Sequence, residues 1–209
     1  VAPGEARELR VTLERRGEAS WELSVLSGAP GAWVEHARGR VARLDAPRPA
    51  ALEPVDAIAA RCSRSVRERF SLSDEPFVAF GPRWAHRVRA ALGDGEAWLE
   101  LELAEPFRSE PDTFALHPAL LDFATAGVQE LVPGHDPKTH FYVPLGYGSL
   151  RLYRPLTATL RSHIRLESGT SQSETVSYGV RLYDDRGELL AEIRDFVMRK
   201  LSGGTLGAG

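Results

Sequence analysis

Apolar and polar positions alternate through the first 44 residues. In residues 5–14, Leu9, Val11 and Leu13 share one face and Glu, Arg and Thr fill the other, the two-residue period of a half-buried strand. Residues 15–20 read as a turn. A second strand over 21–26 ends at the Gly/Pro-rich break 27–31, and a third spans 33–44. The pattern predicts an antiparallel meander with no helix to cover it. A single sheet with one bare apolar face does not make a stable domain, so its cover is expected from elsewhere, upstream or in the second half.

The period then changes. After the proline-rich stretch 45–54, Val55, Ile58, Ala59, Cys62 and Val66 recur at three- and four-residue spacing and predict a helix over 55–69. Its Arg61, Arg64 and Arg67 face is expected to be solvated. Residues 88–92 and 97–103 flank Gly93-Asp-Gly95 as a hairpin. A helix is expected from Pro118, which suits the first turn, through Leu131. Leu121, Thr125, Val128 and Leu131 form its expected sheet-facing stripe. Gly127 inside it would cost about 1 kcal/mol against Ala and points to a close backbone approach. Strand-like runs follow at 141–145, 149–153, 158–166, 175–183 and 188–201. In the fourth of these, Val176, Tyr178, Val180 and Leu182 alternate cleanly. One apolar helix and a curled antiparallel sheet make an α+β fold. A faint internal echo, Arg40-Val-Ala-Arg43 against Phe196-Val-Met-Arg199, suits two copies of one unit with the first truncated.

Composition narrows the function. Lys and Arg total 26 against 29 Asp and Glu, a net charge of −3. Neither nucleic acid nor a membrane surface is indicated by that balance. No apolar run approaches the roughly 20 residues of a membrane-spanning helix. Cys62, the single cysteine, leaves no intrachain disulfide and no cysteine metal cluster, and a quiet, partly buried thiol is expected. His135 and His140 have a spacing that fits no common metal site. The start, Val1-Ala-Pro-Gly-Glu, carries neither an initiator Met nor a signal peptide, so a segment of a larger cytoplasmic chain is expected.

The candidate chemistry lies in Phe114-Ala-Leu-His-Pro-Ala-Leu-Leu-Asp122, which sets Asp122 in the first turns of an apolar helix. Taken alone, such a carboxylate suits either a surface charge favoured by the helix dipole or a buried acid.

Leu116-His-Pro-Ala-Leu-Leu-Asp122, preceded by Phe80-Gly-Pro-Arg-Trp84 and followed by Tyr142-Val-Pro-Leu-Gly-Tyr-Gly-Ser-Leu-Arg-Leu152, resembles the dehydratase domain of modular type I polyketide synthases, in its C-terminal portion. The resemblance covers essentially the whole chain. It implies a double hotdog, each half a helix wrapped by an antiparallel sheet, with the first hotdog incomplete. Residues 1–45 would be the remaining meander of the first half, 46–74 a linker with a helix, 75–202 the second hotdog and 203–209 a tail. The implied reaction removes water from a β-hydroxyacyl thioester, held on the phosphopantetheine of an acyl carrier protein, to give an α,β-unsaturated chain. Asp122 is the implied acid, or the holder of the leaving water. Phe80, Gly81, Pro82, His117, Pro118, Leu121, Thr125, Ala126, Tyr142, Val143, Pro144 and Leu145 are expected to shape the site and its channel. No metal and no cofactor of its own is implied. The expected partners are the carrier protein and neighbouring domains of a bacterial, cytoplasmic synthase, with a homodimer as a further expectation.

Three positions depart from the family pattern. None of the six histidines lies in the His-x-x-x-Gly-x-x-x-x-Pro motif that carries the base. Ala126 stands where Gln or His usually holds the carboxylate, leaving Thr125 or a water to substitute. Phe80 replaces the tyrosine of Tyr-Gly-Pro. These departures keep two alternatives open: a non-catalytic dehydratase-like scaffold, and a double-bond isomerase or oxa-Michael cyclase on the same fold.

Overall fold

In the computed structural model, residues 6–28, 31–45, 49, 52–67 and 80–201 are described. The end of the expected helix over 55–69 and the tail 203–209 lie outside them. The chain divides into two compact units, Val1–Ala46 with Gly207–Gly209, and Pro47–Leu206.

The first unit is the meander. Strands β1 (Glu8–Gly17), β2 (Ser20–Gly28) and β3 (Val34–Ala42) pair antiparallel in that order, with Val11 opposite Val25 and Leu13 opposite Leu23. The alternation identified the strand but not its burial. Leu9, Val11 and Leu13 are 64%, 58% and 60% exposed, so β1 is not half-buried. Arg10 lies 4.0 Å over the Trp33 ring.

The second unit holds α1 (Val55–Arg61), β4 (Arg64–Arg67), β5 (Arg87–Leu92), β6 (Glu96–Glu102), α2 (Pro118–Ala126), β7 (Phe141–Leu152), β8 (Thr159–Ser168), β9 (Thr175–Tyr183) and β10 (Leu189–Leu201). Seven strands form one antiparallel sheet in the order β4-β5-β6-β8-β9-β10-β7. Alternate side chains go to opposite faces, as the pleat requires. Ala97, Leu99 and Leu101 of β6, Leu160 and Ile164 of β8, and Val176, Tyr178, Val180 and Leu182 of β9 join the core around Leu120, Phe123 and Ala124 of α2. Trp98 and Tyr183 face the other way and pack with Ile58, Cys62 and Leu189. Burial there pushes the Cys62 thiol up to about 11, so it is an inert filler.

Helix α1 is shorter than its spacing predicts. It closes at Arg61, and Arg64–Arg67 pairs with β5 as an edge strand. Helix α2 also stops early. Gly127 is its C-cap rather than an interior residue, and a Cβ there would lie 2.5 Å from Phe123 O of the same helix, not against a neighbouring sheet. The sheet-facing stripe is correspondingly shifted: Leu120, Phe123 and Ala124 carry it with Val128 and Leu131, while Leu121 is only partly buried.

The runs 141–145 and 149–153 form one strand, β7. It is an edge strand, which is why Pro144 is tolerated within it. Its register against β10 slips where Met198 faces Pro144 and Val197 faces Gly146, leaving Leu145 as the extra, outward-turned residue. A second irregularity in β10 falls between Ile193 and Phe196 against β9. Asp195 sits there at φ 51°, the left-handed region. Gly148 accommodates it, because a Cβ at 148 would come 2.7 Å from Asp195 Cβ.

Candidate active site

Asp122 lies on the second turn of α2, and the sequence around it builds the turn before it. Pro118 takes the first helical position, where its missing N–H costs nothing. His117 is the N-cap: its Nδ1 accepts from Leu120 N at 3.4 Å. Its Nε2 lies 2.9 Å from Glu110 Oε2. With Nδ1 accepting, Nε2 is the donor, so both ring nitrogens serve the cap rather than the site. Arg83 closes on the same carboxylate through Nε at 2.9 Å and 3.0 Å. The Arg83 guanidinium, and then His117, hold Glu110 below the usual carboxylate range.

The short turn Pro82–Trp84 grips α2 from outside. Trp84 Nε1 donates to Asp122 Oδ2 at 2.8 Å. His86, 3% exposed, donates from Nε2 to Ala119 O at 3.1 Å. Burial takes His86 down to about 4, and its Nδ1 is buried without a partner. Phe80 stacks on Trp84 at 6.1 Å and meets Phe123 at 5.9 Å, and His86 approaches Phe123 edge-on at 5.2 Å. Three side chains from one loop thus meet α2 at Ala119, Asp122 and Phe123.

The Asp122 carboxyl is partly buried and its pKa is raised. Burial drives it up, and the Trp84 hydrogen bond opposes that. Among the described residues no cation pairs with it. Tyr147, 44% exposed and stacked on Phe196 at 5.1 Å, has its phenol raised by burial and then by the negative charge of Asp122. Trp84 is therefore a residue of the candidate site that sequence reasoning missed, and Tyr147 feels its charge. Both stand in the motif blocks, but the contact with Trp84 joins positions 38 residues apart.

The other expected site residues divide. Phe80 and Leu121 are partly buried beside the aspartate, and Gly81, Pro82, Pro118, Pro144 and Leu145 are exposed. Val143 and Ala126 are partly buried. Thr125 does not stand in as support for the carboxylate: its hydroxyl donates to Leu121 O at 2.9 Å and Asp122 O at 3.2 Å, both within its own helix. Tyr142 is a packing residue, 1% exposed, with its ring 6.3 Å from His135. Gln129 clamps the backbone of Tyr142, donating to its O at 2.9 Å and accepting from its N at 2.8 Å.

No histidine is hydrogen-bonded to Asp122 among the described residues. His36 contacts Ser27 at 2.6 Å in the first unit. His163 lies 2.7 Å from Glu96 and pairs in register with Trp98, on the sheet face away from α2. His140 accepts from Asp136 N, and His135 is 6.0 Å from it in the same loop. No group of three or more His, Cys, Asp or Glu that could hold a metal ion occurs among the described residues. The arrangement offers one desolvated carboxyl group that can carry and release a proton.

Comparison with known proteins places this geometry. Residues 50–208 match the family described as the polyketide synthase dehydratase N-terminal domain. The chain is 31% identical over 192 residues to polyketide synthase GfsE of Streptomyces halstedii, covering 85% of this chain and 5% of that protein. It therefore spans about a twentieth of the length of that curated relative. Among solved structures, the dehydratase domain from the CurF module of curacin polyketide synthase superposes with a TM-score of 0.80 at 20% identity, covering 95% of this chain and 70% of that one. An inactive mutant of CurK dehydratase, with an aspartate replaced by asparagine, superposes at 0.71 and 20% identity, covering 95% of this chain and 70% of that one. A second inactive CurK mutant has a histidine replaced by phenylalanine. These likenesses give the fold: α+β, of the hotdog type.

Proposed function

Because the chain belongs to the polyketide synthase dehydratase family, we propose that it removes water from a β-hydroxyacyl thioester, with Asp122 as the acid. A base takes the α-proton, and the C–H electron pair becomes the new double bond. The β-hydroxyl leaves with its C–O pair and takes the Asp122 proton, departing as water. Asp122 is left as carboxylate and the base as its conjugate acid, and one proton transfer between them or through solvent resets the site. The chemistry is redox-neutral and calls for no cofactor beyond the phosphopantetheine that carries the chain.

The observation that carries this reading is the Asp122 carboxyl, raised by burial with an uncharged donor against it. A carboxylic acid must hold its proton near working pH to act as a general acid, and burial without a paired cation achieves that. In the family the base is a histidine in a motif that none of the six histidines here matches, so we assign the base to a histidine elsewhere in the synthase. The inactive CurK mutants, one at an aspartate and one at a histidine, support an acid–base pair of this kind. The acyl carrier protein and the neighbouring synthase domains are the proposed partners.

Product analysis of the intact synthase tests the reading. With Asp122→Asn, the carrier-bound chain should stay at the β-hydroxyacyl stage, with turnover lower by about 100-fold or more. Equal rates would remove Asp122 from the chemistry and favour a non-catalytic scaffold. A product with a shifted double bond or a ring would favour an isomerase or a cyclase instead.

A further inference from the structure

We propose that Trp84 is the positioning residue for Asp122: its indole N–H fixes the carboxyl rotation and selects which oxygen carries the catalytic proton. This rests on the acid role given to Asp122 above. Trp84 Nε1 lies 2.8 Å from Oδ2. An indole nitrogen donates and cannot accept, so Oδ2 must be an acceptor in both protonation states. When the group is protonated, the carbonyl oxygen is the better acceptor, so the indole favours it at Oδ2 and the acidic hydrogen on Oδ1. The indole has no charge to titrate, so this assignment holds across the working pH range. A cation in the same place would pull Asp122 into the ionised form and spoil it as an acid. A neutral donor orients it with a weaker pull toward the ionised form, and burial still leaves Asp122 raised.

The neighbouring side chains leave this task to Trp84. Thr125 spends its hydroxyl on its own helix backbone, and Gln129 spends its amide on Tyr142. Ala126, one helical turn on, has nothing to offer. The indole is itself held on both sides. Phe80 stacks on its ring, Arg83 is tied to Glu110, and His86 is tied to Ala119 O. The N–H is thus aimed before substrate arrives.

The experiment measures dehydration by the intact synthase for wild type, Trp84→Phe and Asp122→Asn across pH. Trp84→Phe keeps an aromatic ring on Phe80 and removes the N–H. It should lower kcat by about tenfold or more with KM nearly unchanged. The alkaline limb of kcat should move to higher pH, because the donor that stabilised the carboxylate is gone. A merely structural role would lower the thermal midpoint and leave that limb in place. If Trp84→Phe misfolds, benzothienylalanine at 84 keeps the two-ring shape and replaces N–H with sulfur, and the same shift is expected. An unmoved limb and unchanged kcat in either variant, with Asp122→Asn inactive, would overturn the role of Trp84 alone. An active Asp122→Asn would overturn the acid reading and this inference together.

Discussion

Burial and a single neutral donor pull Asp122 in opposite directions, and burial is the stronger. Its folded-state pKa stands above the unfolded one. The native chain then holds a proton over a range where the unfolded chain has already released it. Stability falls as pH rises through that range, and the loss is complete above it. Asp122→Asn removes the cost of ionising a desolvated carboxyl. The variant should be at least as stable as wild type at pH 7 and should lack this fall, as measured by thermal unfolding across pH. A variant less stable than wild type at pH 7 would show that the native state favours the carboxylate. At this scale the sequence was informative about Asp122, because a run of motif residues surrounds it. It was silent about Trp84, because nothing in local spacing links residue 84 to residue 122 before the chain folds.

The elements read from period alone were reliable where one period ruled. Val176, Tyr178, Val180 and Leu182 gave β9 its observed limits, Thr175–Tyr183. Where two periods fitted, tertiary pairing decided. Val66 suits both a helix after Cys62 and a strand, and the open edge of β5 captured Arg64–Arg67 as β4. Beyond Ala126 the backbone leaves the helix, and Gln129 is recruited to Tyr142, so α2 ends at Ala126 rather than Leu131. The outer face of the sheet carries a further device that no motif announced. Arg61 donates to Glu96 from Nε at 2.8 Å and also pairs with Glu53, tying α1 to β6, while His163 closes on Glu96 from β8. Arg61 is the main cause that takes Glu96 down to about 2. A depressed carboxylate stabilises the fold above its unfolded value, 4.5, and loses that contribution as pH falls toward 2. Glu96→Gln should cost about 1–3 kcal/mol at pH 7 by denaturant unfolding. The gap from wild type should narrow below pH 4.5, and a gap constant to pH 2 would contradict the pairing.

Across the whole molecule, the candidate site and the residues that hold it lie in the larger unit. The 3-stranded unit keeps Leu9, Val11 and Leu13 exposed. The α+β class followed from the sequence because one helical period stood among alternating runs. The side-chain geometry did not, since the hydrogen bonds from Trp84 and His86 to α2, and from Arg83 to Glu110, depend on where the 82–84 turn lands. The proposed dehydration requires a protonated Asp122. Its carboxyl stretch, isolated as the infrared difference between wild type and Asp122→Asn, reports that state directly through a pH titration. A protonated carbonyl band persisting above the ordinary aspartate value of 3.8 is the predicted result. A band lost at or below 3.8 would contradict it.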